Sequence, residues 1–66
     1  MKDDPTVAFE DVTSTSDTPL ALYCYIEGKS VWIPKSQIHD DSEVYRKNQT
    51  GTLIISRWIA EQKGLV

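Results

Sequence analysis

The chain has 66 residues, a net charge of −3 and a single cysteine. That length admits one domain, which buries only about 60% of the surface its unfolded chain exposes and so needs tight packing, a disulfide, a metal or self-association. Cys24 alone excludes an internal disulfide, one His with one Cys falls short of the usual zinc ligand set, and no apolar run nears the ~20 residues of a membrane-spanning helix.

Residues 1–18 read as an acidic, flexible leader. Lys2 stands there against Asp3, Asp4, Glu10, Asp11 and Asp17, a balance of −4. Two readings of the leader stand side by side: a solvated tail, or a negative arm that competes with nucleic acid for a basic groove. Within it, Val7-Ala8-Phe9 is either a short edge strand, spanning 6–12, or part of the tail. Residues 11–19 (D-V-T-S-T-S-D-T-P) offer little to bury and read as a linker or loop.

The domain proper is expected over 19–66, which holds six basic and five acidic side chains. In L-A-L-Y-C-Y-I (20–26), Leu20, Leu22, Cys24 and Ile26 alternate with Ala21, Tyr23 and Tyr25, a period-two strand with one apolar face. Gly28-Lys29 suits a two-residue hairpin turn with glycine at the positive-φ position. That turn sets Tyr25 opposite Trp32 and Cys24 opposite Ile33. Pro34, lacking an N–H, ends the second strand or puts it on an edge.

Beyond Pro34 the pattern thins. Residues 35–38 form a single turn that tucks Ile38 inward. S-E-V-Y (42–45) reads as a short strand in preference to a helical turn capped by Asp40. Thr50-Gly51 marks the turn before a strand at 52–55. Ser56 then caps a helix over 57–63, Gly64 supplies the left-handed ending, and Leu65 folds back on Ala60. So short a helix needs docking to persist, so Trp58, Ile59 and Leu65 are expected on the sheet. The fold class is mainly β: three to five antiparallel strands in a small, partly open barrel of the SH3-like or OB-like kind, with a short C-terminal helix.

Catalysis finds little support in the residues. Cys24 lies on the apolar face, where burial raises the thiol pKa and leaves it inert. His39, Asp40, Asp41 and Glu43 could hold a divalent ion weakly, but they are consecutive in a polar stretch and read as a solvated turn. No glycine-rich phosphate loop is present, and neither catalytic residues nor a cofactor or metal is expected. The strongest candidate is an aromatic sheet face of Tyr23, Tyr25 and Trp32, with Lys35, Arg46 and Lys47 as basic neighbours. Such a face suits a protein partner, since Tyr, Trp and Arg are enriched at interface hot spots. It also suits single-stranded DNA or RNA, where each stacked base is worth ~1–3 kcal/mol. A homodimer interface and a minor second core beneath the helix are the other readings.

Three strings, V-W-I-P-K-S-Q-I (31–38), H-D-D-S-E-V-Y (39–45) and W-I-A-E-Q-K-G-L (58–65), resemble a group of short accessory proteins encoded in bacteriophages and bacterial genomes. The resemblance covers most of 20–66. It implies a phage or mobile-element context and a partner among host or phage proteins, including inhibition of a host defence or nucleic-acid enzyme. It carries over no active-site residues. The lone cysteine and the absence of an apolar leader fit a reducing bacterial cytoplasm. The expected function is that of a non-enzymatic interaction protein, with single-strand nucleic-acid binding as the alternative.

Overall fold

The computed structural model describes residues 5–66; residues 1–4 of the expected leader lie outside them. Among the described residues four strands, β1 (Thr6–Asp17), β2 (Ala21–Ile26), β3 (Lys29–Pro34) and β4 (Thr50–Ser56), precede one helix, α1 (Arg57–Gln62). They form a single antiparallel sheet in the order β3-β2-β1-β4 that does not close into a barrel. The mainly-β class with a C-terminal helix therefore stands, without barrel closure.

The expected leader and linker need correction. Residues 6–17 form a 12-residue strand in the interior of the sheet, neither an edge strand nor a loop. Its period-two pattern is broken in two places. The pairing with β4 shifts between Phe9 and Val12, where Asp11 takes φ 59°, and the pairing with β2 shifts between Ser14 and Ser16. Each bulge adds a residue without moving the partner strand: the first puts the buried positions at 9, 12 and 14, and the second moves the next core-side position to Asp17. Ser14 occupies a core position that an apolar residue would normally hold.

The β2–β3 hairpin has the expected strands and a different turn. Glu27 (φ 49°) and Gly28 (φ 86°) are the central pair, the type I′ geometry with positive φ at both positions. Ile26 then faces Lys29, Cys24 faces Val31, Tyr23 faces Trp32 and Leu22 faces Ile33. Relative to the expected pairing each partner moves by two residues. A shift of two leaves every side chain on its original face, so alternation alone carries no information about it. Leu20 lies outside the strand and is exposed.

One face of the sheet is covered. Phe9, Val12, Leu22, Cys24, Ile26, Ile33, Leu53 and Ile55 from the strands join Ile38, Val44, Ile59 and Ala60 in one core cluster. The last four come from the crossing segment between β3 and β4 and from α1. Lys35–Gln37 is a 3-10 turn, and Ile38 bridges to Ile55, as the inward tuck requires. Residues 42–45 are not a strand, although Val44 is fully buried. Side chains fasten this segment instead of strand pairing. Ser14 Oγ donates to the Arg46 carbonyl and accepts from Gln49 N–H at 3.0 Å, while Gln49 Oε1 accepts from the Tyr45 and Arg46 N–H groups at 2.7 Å each. Thr50 and Gly51 already belong to β4, and the turn lies just before them.

The helix ends are legible residue by residue. Ser56 Oγ accepts from Ile59 N–H at 3.2 Å. At the other end Gly64 takes φ 71°, and the Leu65 and Gly64 N–H groups donate to the Ala60 and Glu61 carbonyls. This Schellman ending satisfies carbonyls that would otherwise be orphaned. Six residues bring only Ile59 and Ala60 to the core, and Trp58, expected on the sheet, is 58% exposed.

Candidate interaction surface

Because α1 and residues 35–49 cover one side of the sheet, the other side is bare. Its side chains follow from the strand registers. Tyr23 and Tyr25 project there from β2, and Trp32 and Ser30 face them from β3. Thr13 and Ser16 of β1 continue the rows beyond Tyr25 and Tyr23. Thr50, Thr52 and Ile54 complete the face from β4, and the Thr13 and Thr50 hydroxyls lie 3.1 Å apart.

The aromatics group as the alternation predicts. Tyr23 and Trp32 rings meet with centroids 4.8 Å apart and planes tilted by 39°. The two residues form a non-hydrogen-bonded antiparallel pair, in which side chains approach most closely. Tyr25 is 51% exposed and Trp32 41% exposed, while Tyr23 is half-buried between neighbours. The helix therefore does not make a second core here. Every paired position of this face is uncharged, and the acidic Glu10 and Asp11 fall in the β1 bulge.

The basic residues go elsewhere. Lys35 Nζ donates to Asp17 Oδ1 and stands 5.5 Å from the Tyr45 ring centroid, the one cation–π contact among the described residues. Asp17 faces Leu22, a core-side position, so this cluster lies on the covered side of the sheet. The Lys35 hydrogen bond, joined by the nearby Lys47 backbone and charge, holds the Asp17 carboxyl below its usual pKa against some desolvation. Arg46 and Lys47 occupy the turn that buried Ser14 fastens to the same side. Tyr23, Tyr25 and Trp32 thus come together, and Lys35, Arg46 and Lys47 do not join them.

The remaining candidates serve local structure. His39 Nδ1 accepts from Asp41 N–H at 3.0 Å, and Glu43 Oε1 accepts from Thr52 N–H at 2.8 Å. Among the described residues no group of three His, Cys, Asp or Glu side chains could hold a metal ion. Cys24 is fully buried, and desolvation pushes its thiol up to about 11. Two exposed aromatics fell outside the sequence-based site: Tyr45 under Lys35, and Trp58 beside an open groove formed with Pro5, Gln37 and Arg57. No described helix is long and apolar enough to cross a membrane.

In comparisons with known proteins, no family model, curated protein or solved structure matches the chain.

Proposed function

We propose that this chain is a non-enzymatic interaction protein that docks its bare aromatic sheet face on a protein partner. The observation that carries the reading is the pairing of exposed Tyr25 and Trp32 with uncharged neighbours at every paired position of the β2 and β3 rows of that face, opposite the side that α1 covers. Interface centres are depleted in charge and enriched in Tyr and Trp, which bury large areas at low entropy cost. The paired Ser, Tyr and Trp positions of β2 and β3 also leave no buried unpaired ion when a partner closes over them. The resemblance to short phage and bacterial accessory proteins supports a host or phage protein as the partner, met in the bacterial cytoplasm, with inhibition of a defence or nucleic-acid enzyme as one outcome.

Single-strand binding is the weaker reading. Stacked bases bring phosphates with them, and strand-binding grooves neutralise those phosphates beside the aromatics. Here Lys35 is paired with Asp17, and Arg46 and Lys47 lie on the other side of the sheet. A backbone-amide NMR titration with short single-stranded DNA and RNA, at low and moderate salt, tests the choice. Protein docking predicts no shifts clustered at Tyr23, Tyr25 and Trp32. Clustered shifts that fade with salt would transfer the face to nucleic acid.

A further inference from the structure

The sheet has two edges, and the chain treats them oppositely. Along the middle of β4 the backbone groups of Thr52 and Ile54 point outward, and all four are taken. His39 N–H donates to the Ile54 carbonyl (2.8 Å) and Glu43 N–H to the Thr52 carbonyl (2.9 Å). Ile54 N–H donates to Ser42 Oγ (3.1 Å) and Thr52 N–H to Glu43 Oε1 (2.8 Å). A chain with no use for strand pairing would treat its other edge likewise.

The β3 edge is open. Ile26 and Lys29 flank the two-residue turn, so they form a hydrogen-bonded pair, and odd-numbered β3 residues bond to β2. The bond from Lys35 N–H to the Leu20 carbonyl, at 2.9 Å, continues the same parity. The N–H and C=O groups of Ser30 and Trp32 therefore point away from the sheet. Pro34 has the same parity and no N–H to offer.

We infer that β3 pairs antiparallel with β3 of a second copy of this chain, centred on Val31, so that Ser30 of each protomer faces Trp32 of its partner. This register follows from the residues. Centring on Trp32 would set Ser30 against Pro34, which has no donor. Centring on Ser30 would set Trp32 against Gly28, inside the turn. Centring on Val31 joins all four free groups of each protomer in four intermolecular hydrogen bonds and ends the ladder where Gly28 meets Pro34.

The side chains agree with that register. Each Trp32 stands over the small Ser30 of its partner, and beyond Ser30 lies the partner's Tyr25. The uncharged β2 and β3 rows of the two protomers' bare faces become one continuous aromatic surface. No like charges meet, because Lys29 falls opposite Ile33. The pairing is isologous and closed: it uses both β3 edges, and the covered β4 edges stop further growth. It also supplies what a 66-residue chain without a disulfide lacks, added burial through association. The inference is independent of the partner reading, since it rests on the edge and not on what the face binds.

Sedimentation equilibrium over a wide concentration range, with two variants, tests it. The wild type gives twice the 7.5 kDa chain mass, with monomer appearing on dilution. Ser30→Pro removes an N–H that bonds to nothing among the described residues, and the variant sediments as a monomer with unchanged circular dichroism. Val31→Cys sets two thiols at the twofold axis in a non-hydrogen-bonded pair, about 4.5 Å between Cα atoms. A mild added oxidant then links that variant into a covalent dimer, since the spacing suits a disulfide. A wild type that stays monomeric at every concentration, a Val31→Cys chain that does not cross-link, or a folded Ser30→Pro chain that still dimerises would each overturn the inference.

Discussion

Tyr23 and Trp32 face each other across β2 and β3 with ring centroids 4.8 Å apart, on the side of the sheet that the helix leaves bare. The contact orders Trp32 on the surface, so a partner meets a ring already held in place and less entropy is lost on docking. A double-mutant cycle on Tyr23→Ala and Trp32→Ala, read by urea unfolding, should give a coupling energy of about 0.5–1.5 kcal/mol. Truncating a core residue such as Leu22 to Ala should cost more, about 2–5 kcal/mol, because it leaves a cavity.

Among the described residues Ser14 is the one buried polar residue, and its hydroxyl holds the turn before β4. Ser14→Ala leaves the Gln49 N–H and the Arg46 carbonyl without that partner. The expected loss is about 1–3 kcal/mol of stability. Amide hydrogen exchange should quicken at residues 46–49 while β2 and β3 change least.

That serine also explains what the sequence concealed. The β2 and β3 strands, the inward Ile38 and both helix caps are written in local signals: alternation, a proline, a serine and a glycine. β1 is not, because its bulges displace the period and a hydroxyl fills an apolar position. The segment at 39–49 has no period, since Ser42, Glu43 and Gln49 side chains replace strand pairing. The aromatic trio was legible because alternation fixes its face under either hairpin register. The places of Lys35, Arg46 and Lys47 were not, because they depend on which side of the sheet the 35–49 segment crosses.

Asp17 links stability to acid. Lys35 holds its folded pKa below the ordinary 3.8, so the pair contributes above that pH and is lost as the pH falls through the lowered value. Urea midpoints measured from neutral pH down past 3.8 should fall, and Asp17→Asn should remove that part of the fall. An unchanged acid profile in the variant would mean that Asp17 carries none of it.

Cys24 sets a limit at the other end. Burial raises its thiol from 9.0 to about 11, so the unfolded chain ionises first. Its contribution is complete below pH 9 and is lost as the pH climbs towards 11. Cys24→Ala should flatten this alkaline loss. At neutral pH the native thiol should resist alkylation until urea exposes it.

The central claim is that the bare face, and not the helix side, meets a protein. The most direct measurement immobilises the wild type, Trp32→Ala and Trp58→Ala, both of which replace exposed tryptophans, and compares what each retains from bacterial lysate. The account predicts a protein held by the wild type and by Trp58→Ala and lost from Trp32→Ala, a drop of roughly thirtyfold or more in affinity for a hot-spot residue. Equal retention by the wild type and Trp32→Ala, or loss with Trp58→Ala alone, would contradict it.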